Sequence, residues 1–280
     1  MLRSNIWVVL AALCLGSCAD PARKADHFAR QQGFQSELVA GSGFQHRLYR
    51  NRAASVPGST LHVYIEGDGT PFLDRTTVAP DPTPVDPLML QLMALDPSAS
   101  VYLGRPCYFG LNHDGRCTAL YWTTRRFSPE VVDSLEAVVR EEAVRANAVQ
   151  LELYGHSGGA TLAVLLAARL SAVTRVVTIG ANLDIKAWAR LHGHSSLTGS
   201  LNPTDITWRA APPPMLHLVG SNDSNTPPSL IESAVANSHV GGKVQVIDGY
   251  THNCCWPQVW PGVLTHAAST APQAPATAAH

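Results

Sequence analysis

Apolar and polar positions alternate in blocks along the chain. Six short apolar runs have the length of strands, and the intervals between them are long enough for helices. Strands that alternate with helices favour a parallel sheet with helices on both faces. The pattern therefore predicts an α/β fold with a mostly parallel central sheet. The predicted strands are residues 61–65, 100–103, 149–154, 175–179, 215–219 and 243–247.

Helical periodicity occupies several of the intervals. Apolar residues recur at helical spacing over 129–144, and residues 159–170 are apolar almost all round, which is typical of a helix buried against a sheet. Weaker helical patterns cover 88–95 and 229–236. Before the first strand, residues 33–52 predict one or two antiparallel edge strands.

One predicted central strand carries polar residues. Gln150 and Glu152 share a face of the strand at 149–154, whereas both faces of a central strand are usually apolar. Two explanations stay open: this face carries a paired carboxylate, or the strand is misplaced.

The N-terminus has the features of an export signal. Arg3 precedes an apolar stretch of ten residues, which is shorter than the roughly 20 residues that span a bilayer. The segment Leu15-Gly16-Ser17-Cys18 resembles the lipobox of bacterial lipoproteins. The resemblance implies cleavage before Cys18, lipidation of that cysteine and a membrane anchor in the bacterial cell envelope, at the outer membrane facing the periplasm or the exterior. An ordinary secretory signal, cut for example after Ala19, stays open.

Length and composition set the domain organisation. The chain has 280 residues, of which 45% are hydrophobic and 15% charged, so it can bury a large core and is not disordered as a whole. A net charge of -1 without a basic run excludes a nucleic-acid partner. We predict a signal peptide over 1–17, a tether over 18–35, one domain over 36–266 and a disordered Ala/Pro/Thr-rich tail over 267–280.

A glycine-rich motif, Gly155-His156-Ser157-Gly158-Gly159, lies between a predicted strand and the most apolar predicted helix. It resembles the G-x-S-x-G nucleophile elbow of the α/β-hydrolase family, in which a sharp turn exposes the serine. The resemblance implies an α/β-hydrolase fold, here with a small or absent lid, and Ser157 as nucleophile. A phosphate-binding turn is the alternative, and no G-x-G-x-x-G or P-loop pattern supports it.

In this family the acid and the base follow the serine in the order Ser, Asp, His. The resemblance implies His252, just beyond the last predicted strand, as the base. It implies Asp223, in the polar loop after the strand at 215–219 and 29 residues before the histidine, as the acid. Asp184 is the alternative acid, because some hydrolases carry the carboxylate one strand earlier.

The loop after the first predicted strand reads Glu66-Gly67-Asp68-Gly69 and is similar to the H-G-G-G loop of lipases and esterases. The resemblance implies an oxyanion hole built from the backbone N–H groups of Gly158 and Asp68. Glu66 replaces the usual histidine, and Asp68 adds a carboxylate near a forming anion. Either that side chain faces away, or the donor is off by one residue, or the segment is a plain turn.

The other chemically interesting residues leave more alternatives. In an exported chain, Cys107 and Cys117 can close a loop by a disulfide, while Cys254 and Cys255 could pair with them instead of with each other. No metal or cofactor is implied, since nothing completes the pair His192 and His194 as a ligand set. The segment around Tyr121, Trp122, Arg125 and Arg126 either edges the substrate cleft or packs a long loop.

The predicted function is hydrolysis of a small-molecule or lipid ester by a serine hydrolase, through an acyl-enzyme. Amides, thioesters and polyesters are alternative substrates. A protein of another class also fits the sequence: an envelope lipoprotein that uses a hydrolase-like scaffold for binding without catalysis.

Overall fold

The computed structural model describes residues 20–55 and 58–269. Its centre is an eight-stranded sheet in the order β1-β2-β4-β3-β5-β6-β7-β8, in which β1 and β2 are antiparallel and the other six strands are parallel. The strands are β1 (Gln35–Ala40), β2 (Gln45–Arg50), β3 (Thr60–Ile65), β4 (Ser100–Leu103), β5 (Gln150–His156), β6 (Val173–Ile179), β7 (Met215–Gly220) and β8 (Lys243–Ile247).

Seven α-helices occur in the described part of the chain. They are α1 (Pro21–Gln31), α2 (Leu88–Met93), α3 (Pro129–Arg145), α4 (Gly158–Ala167), α5 (Ile185–Leu191), α6 (Pro228–Ala236) and α7 (Trp256–Ser269). The structure confirms all six predicted strands and the antiparallel edge. It also confirms the predicted helices that correspond to α2, α3, α4 and α6, with shifts at their ends.

Alternate side chains of the strands pack into two separate hydrophobic cores. In β3, Leu61, Val63 and Ile65 join an aliphatic core with α3, α4 and α6, whereas Tyr64 joins an aromatic core with α1, α2 and α7. This alternation is the period of a strand. It confirms the prediction of a mostly parallel sheet with helices on both faces.

The polar face of β5 carries a carboxylate, that of Glu152, which has hydrogen-bond and ion-pair partners. Glu152 accepts a hydrogen bond from the Tyr154 hydroxyl at 2.5 Å and lies 3.5 Å from the Arg175 guanidinium. The strand is therefore placed as predicted, and the first of the two explanations holds.

The segment over 18–35, predicted to be a tether, is structured from residue 21 on. It forms α1, in which Ala22, Ala25 and Ala29 are buried in the aromatic core. Asp20 caps this helix by accepting a hydrogen bond from the Ala22 N–H at 3.0 Å. Three small alanines give a weak apolar signal in a polar stretch, which is why the sequence pattern missed the helix.

The ends of the chain are partly outside the described residues. The predicted signal peptide over 1–17 and Cys18 lie there, as do residues 270–280 of the predicted tail, while α7 extends to Ser269. Within the described ranges, no helix combines the length and apolar character needed to cross a membrane.

The parallel strands bring four loops to one edge of the sheet. The carboxyl ends of β3, β5, β7 and β8 are followed by residues 66–87, Ser157, residues 221–227 and residues 248–255. Ligand sites in open α/β sheets lie outside the carboxyl ends of the strands. A ligand-binding or catalytic site is therefore expected at this edge of the sheet.

Candidate active site

Ser157 occupies a sharp turn between β5 and α4. Its backbone has φ 52° and ψ -118°, a left-handed conformation that is costly for a residue other than glycine. The turn is fixed on both sides, because the Ser157 N–H donates to the Ile179 carbonyl at 2.8 Å and every residue of α4 is buried. The surrounding fold thus holds the serine in a strained position at the edge of a cleft.

Two glycines next to this serine allow the start of α4 to approach β3 and the following loop closely. A Cβ atom on Gly159 would lie 2.2 Å from the Ile65 carbonyl oxygen, and one on Gly158 would lie 2.1 Å from an Asp68 carboxylate oxygen. Neither distance is compatible with a side chain. The start of α4 therefore packs directly on the end of β3 and on the loop that follows it.

His252 and Asp223 form a buried pair in the same cleft region. His252 Nδ1 lies 2.8 Å from Asp223 Oδ2, and the Asp223 side chain has no exposed surface. The other carboxylate oxygen accepts the N–H groups of Asn225 at 2.9 Å and Thr226 at 2.8 Å. Burial by itself would raise the pKa of Asp223, but the hydrogen bond and charge of His252 and the hydrogen bonds from Thr226 outweigh it, so the pKa is lowered.

The pKa of His252 is also lowered from its ordinary value. Burial is the main cause, and His156 adds to it, while the Asp223 carboxylate works in the opposite direction. The imidazole is therefore biased towards its neutral form. With its Nδ1 proton directed at Asp223, its Nε2 atom is left as an acceptor.

The side-chain amide of Asn225 is hydrogen-bonded to that acceptor. Its Nδ2 lies 3.0 Å from His252 Nε2, and its Oδ1 accepts from the Trp188 indole N–H at 3.3 Å. Because the indole only donates, it fixes the amide orientation. No hydrogen bond joins Ser157 Oγ to His252 among the described residues. Sequence reasoning missed Asn225, although its position two residues after the predicted acid was a signal.

The backbone of His252 is held from two sides. Its carbonyl accepts from the Trp256 indole N–H at 3.2 Å and lies 3.0 Å from His156 Nε2. The rings of His156 and His252 are 4.7 Å apart. His156, the residue before Ser157 in the motif, thus supports the loop that carries the predicted base.

Asp184, the alternative acid, has a different role. Its carboxylate accepts the N–H groups of Lys186 at 3.0 Å and Ala187 at 3.1 Å, and so caps α5. It forms no hydrogen bond with His252, whereas Asp223 does.

The two backbone N–H groups predicted for the oxyanion hole are free. In residues 20–55 and 58–269, neither the Gly158 N–H nor the Asp68 N–H has a hydrogen-bond partner. The Gly67 N–H is already used, because it donates to the Glu66 carboxylate at 3.1 Å. The other oxygen of Glu66 accepts the Met89 N–H at 2.9 Å at the start of α2. Glu66 therefore organises the loop in place of the usual histidine.

The Asp68 side chain does not face away from the elbow, because its carboxylate lies against Gly158. Its carboxylate pairs with Arg105 and, at 2.7 Å, with Arg126. Burial alone would raise the pKa of Asp68, but the two guanidinium groups outweigh it and lower the pKa to about 2. The Asp68 carbonyl also accepts from the Tyr108 hydroxyl at 3.0 Å. The whole residue is thereby fixed.

A cleft of about 1030 Å³ runs past Ser157 and His252. One wall is the loop over 66–87, which contains five prolines, and the other includes the end of α5 and the residues after it. Sequence reasoning assigned the first loop only to the oxyanion hole. The length and proline content of the loop were the available signal for a wall.

The remaining predicted residues separate by position. Arg126 lines the cleft, whereas Trp122 is buried and donates its indole N–H to the Ala79 carbonyl at 3.1 Å. Tyr121 and Arg125 lie outside this lining and contact each other, with the guanidinium 5.5 Å from the ring centre. Across the described ranges, no group of three or more His, Cys, Asp or Glu side chains is arranged to hold a metal ion.

The four described cysteines form two disulfides. Cys107 and Cys117 are joined with an S–S distance of 2.08 Å, as the sequence suggested for an exported chain. Cys254 and Cys255 are joined to each other, so the alternative pairing with the first two is not formed. The second bridge lies directly after His252 in the chain.

The chain is similar to an esterase from Pyrococcus furiosus (11% identity, TM-score 0.58, covering 86% of this chain and 90% of that one). It is also similar to a hyperthermophilic esterase from Pyrobaculum calidifontis (13%, 0.55, 89% and 90%) and to an esterase/lipase from an uncultured bacterium (13%, 0.56, 92% and 94%). No protein-family profile and no curated protein sequence matches the chain. At these identities the likeness concerns the fold, and the chain has the α/β-hydrolase fold.

Proposed function

We propose that the protein is a serine hydrolase of carboxylic esters, with Ser157 as nucleophile, His252 as general base and then acid, and Asp223 orienting the imidazole. The observation that carries the proposal is the position of Ser157. It combines a strained backbone, a place at the cleft and two free backbone donors beside it, with the His252–Asp223 pair at 2.8 Å in the same cleft region.

The reaction starts when Ser157 Oγ attacks the ester carbonyl carbon and its proton passes to His252 Nε2. The tetrahedral intermediate collapses, the C–O bond to the alcohol breaks, and His252 returns the proton to the leaving alkoxide. Water then attacks the acyl-enzyme by the same route and releases the carboxylic acid. Asp223 stabilises the imidazolium in both halves and is not itself protonated.

The N–H groups of Gly158 and Asp68 bind the developing oxyanion. Each such donor contributes about 3 to 4 kcal/mol to transition-state stabilisation in known hydrolases. The side-chain contacts of Asp68 hold its peptide group in place before substrate arrives. Preorganised donors of this kind lose little free energy in reorganisation during the reaction.

Asn225 competes with Ser157 for His252 Nε2. Its amide donates to the lone pair that must receive the serine proton. Nucleophile to base hydrogen bonds are often long before substrate binds and tighten in the complex. The mechanism therefore requires the Asn225 amide to give way when substrate enters.

The test is hydrolysis of short-chain 4-nitrophenyl esters by the wild type and by Ser157→Ala. We expect loss of at least about 10⁴-fold in kcat for Ser157→Ala. Ser195→Ala is the matched control, because Ser195 lines the same cleft away from the elbow, and it should retain activity. Hydrolysis that is unchanged in Ser157→Ala would refute the mechanism, and a wild type without hydrolase activity towards esters, amides or thioesters would favour the non-catalytic alternative.

We also propose that the chain is anchored to a bacterial envelope membrane through lipid on Cys18. The support is the lipobox-like segment Leu15-Gly16-Ser17-Cys18. Because α1 begins at Pro21 and packs on the body, the anchor would be followed almost at once by folded structure. The active domain would then lie close to the membrane surface.

A further inference from the structure

The wall of the cleft contains a buried positive charge that the proposed reaction does not use. Arg105 and Arg126 share the single carboxylate of Asp68, while the carboxylate of Glu66 in the same cleft is bound by backbone N–H groups and by neither guanidinium. Their side chains are 1% and 6% exposed, respectively. A buried guanidinium with an unused donor is costly, and one that reaches a cleft is stabilised by an anionic ligand.

Arg126 is the member of this cluster that reaches the cleft. Its Nη1 pairs with Asp68 and its Nε donates to the Thr123 carbonyl at 2.6 Å. Its Nη2 has no hydrogen-bond partner in the part of the chain that the structure describes. Arg126 lines the cleft that also contains Ser157, so this free donor is available to a bound molecule.

Further cationic and polar groups converge on the same region. Arg75 at the rim, His192 and His194 line the cleft, and the rings of the two histidines stack at 5.6 Å beside Trp188. Burial lowers the pKa of His194, and the charges of His192, Arg126 and Arg75 lower it further.

Besides Asp68, three acidic residues line the cleft, and one of them, Glu66, is buried and accepts the N–H groups of Gly67 and Met89. Asp74 and Asp86 also line the cleft, but both are exposed, where water and salt screen their charge. Asp74 is further occupied by the N–H groups of Thr76 and Thr77. The buried guanidinium of Arg126 is screened much less.

We propose that Arg126, with Asp68 and Arg105 behind it, binds a carboxylate on the substrate, so that the preferred esters carry an acidic group apart from the ester that is cleaved. One free guanidinium nitrogen offers too few donors for a phosphate dianion and matches a carboxylate. This inference rests on the proposed function for its substrate, but the anion site itself does not depend on catalysis.

The test compares two substrates of equal acyl length, 4-nitrophenyl hydrogen glutarate and the neutral 4-nitrophenyl pentanoate. After subtraction of the rate without enzyme, the wild type should show at least about tenfold higher kcat/KM for the glutarate ester. Added salt should lower this preference. Equal or lower kcat/KM for the glutarate ester would overturn the proposal, without any variant being needed.

Variants assign the preference to the guanidinium. Arg126→Gln should lower kcat/KM for both esters, since it also loosens Asp68, but by at least about tenfold more for the glutarate ester. Arg23→Gln, a change of the same charge on exposed α1, should leave the ratio of the two esters unchanged. An equal fall for both esters in Arg126→Gln would mean that Arg126 only positions Asp68.

A binding measurement separates this proposal from the proposed function. If neither ester is hydrolysed, the catalytic proposal fails, and titration calorimetry with pentanoate and its neutral analogue pentanamide then decides the anion site. Binding of pentanoate that is at least about tenfold tighter, and that is lost in Arg126→Gln, supports the site. Equal affinity for the two compounds rejects it.

Discussion

At the scale of single residues, the motif spacing predicted candidate catalytic side chains, but it did not predict their hydrogen-bond and ion-pair partners. Ser157, His252 and Asp223 follow the ends of β5, β8 and β7, so a parallel sheet brings them to one edge. The arginine partners of Asp68 come from a distant loop, and the amide on His252 comes from Asn225. Such partners depend on side-chain packing across the fold, which a single sequence does not encode locally.

The pH dependence of activity follows from the state of His252. Burial, with His156, lowers the pKa of this imidazole below its ordinary value of 6.5. Protonated His252 cannot accept the serine proton, so kcat/KM should be full above this pKa and fall as the pH drops through it. The acid limb of the pH–rate profile should therefore have its midpoint below 6.5. A midpoint above that value would contradict the assigned environment.

The two candidate acids can be distinguished by isosteric substitution. Asp223→Asn should lower kcat by about 10⁴-fold, because the amide favours the wrong imidazole tautomer. Asp184→Asn should change neither kcat nor the unfolding midpoint appreciably, since asparagine caps a helix about as well as aspartate. Steady-state kinetics and thermal unfolding of both variants check this. A large loss of kcat in Asp184→Asn alone would reverse the assignment.

At the scale of elements, apolar periodicity identified most helices and strands, including the weakly periodic α2 and α6, whereas α1 and α5 were missed. The apolar run of α4 and the alternating strands identified most of the fold, because burial on two faces leaves a clear pattern. Helix α1 was missed because its buried face consists of alanines. The loop over 66–87 has no periodicity at all, and its place in the cleft wall follows from tertiary structure.

A buried ion pair joins the edge strand β2 to α3. Arg50 Nη2 lies 2.6 Å from Glu142 Oε1, with side chains 6% and 3% exposed. Glu142→Ala would leave the guanidinium buried with only the more exposed Glu37 as partner, which typically costs about 3 to 5 kcal/mol of unfolding free energy. Urea unfolding measures this. Glu141→Ala, at an exposed position of the same helix, is the control, with an expected loss below about 1 kcal/mol.

At the scale of the whole molecule, one sheet edge gathers the predicted nucleophile, base, acid and oxyanion donors, and the buried cluster of Asp68, Arg105 and Arg126 beside them. The α/β-hydrolase fold supports many chemistries, so the argument for function rests on this site and not on the fold. The sequence could predict the fold class and the order of the site residues. It could not predict the charge of the cleft, because that charge arises from side chains far apart in the chain.

The proposed anchor makes a prediction for the intact protein. When the full chain is produced in a bacterial host with lipoprotein processing, the mature N-terminus should be a lipid-modified Cys18, and residues 1–17 should be absent. Mass spectrometry of the N-terminal peptide checks this. Cys18→Ser is the control and should abolish the modification. An unmodified N-terminus at residue 20 would reject the anchor.

The most direct test of the central claim is covalent labelling of the nucleophile. A fluorophosphonate ester should add once per chain, at Ser157, with loss of ester hydrolysis in proportion to labelling. Peptide mapping locates the adduct, and Ser157→Ala should remain unlabelled. Labelling of a different residue, or full ester hydrolysis by a protein labelled at Ser157, would contradict the account.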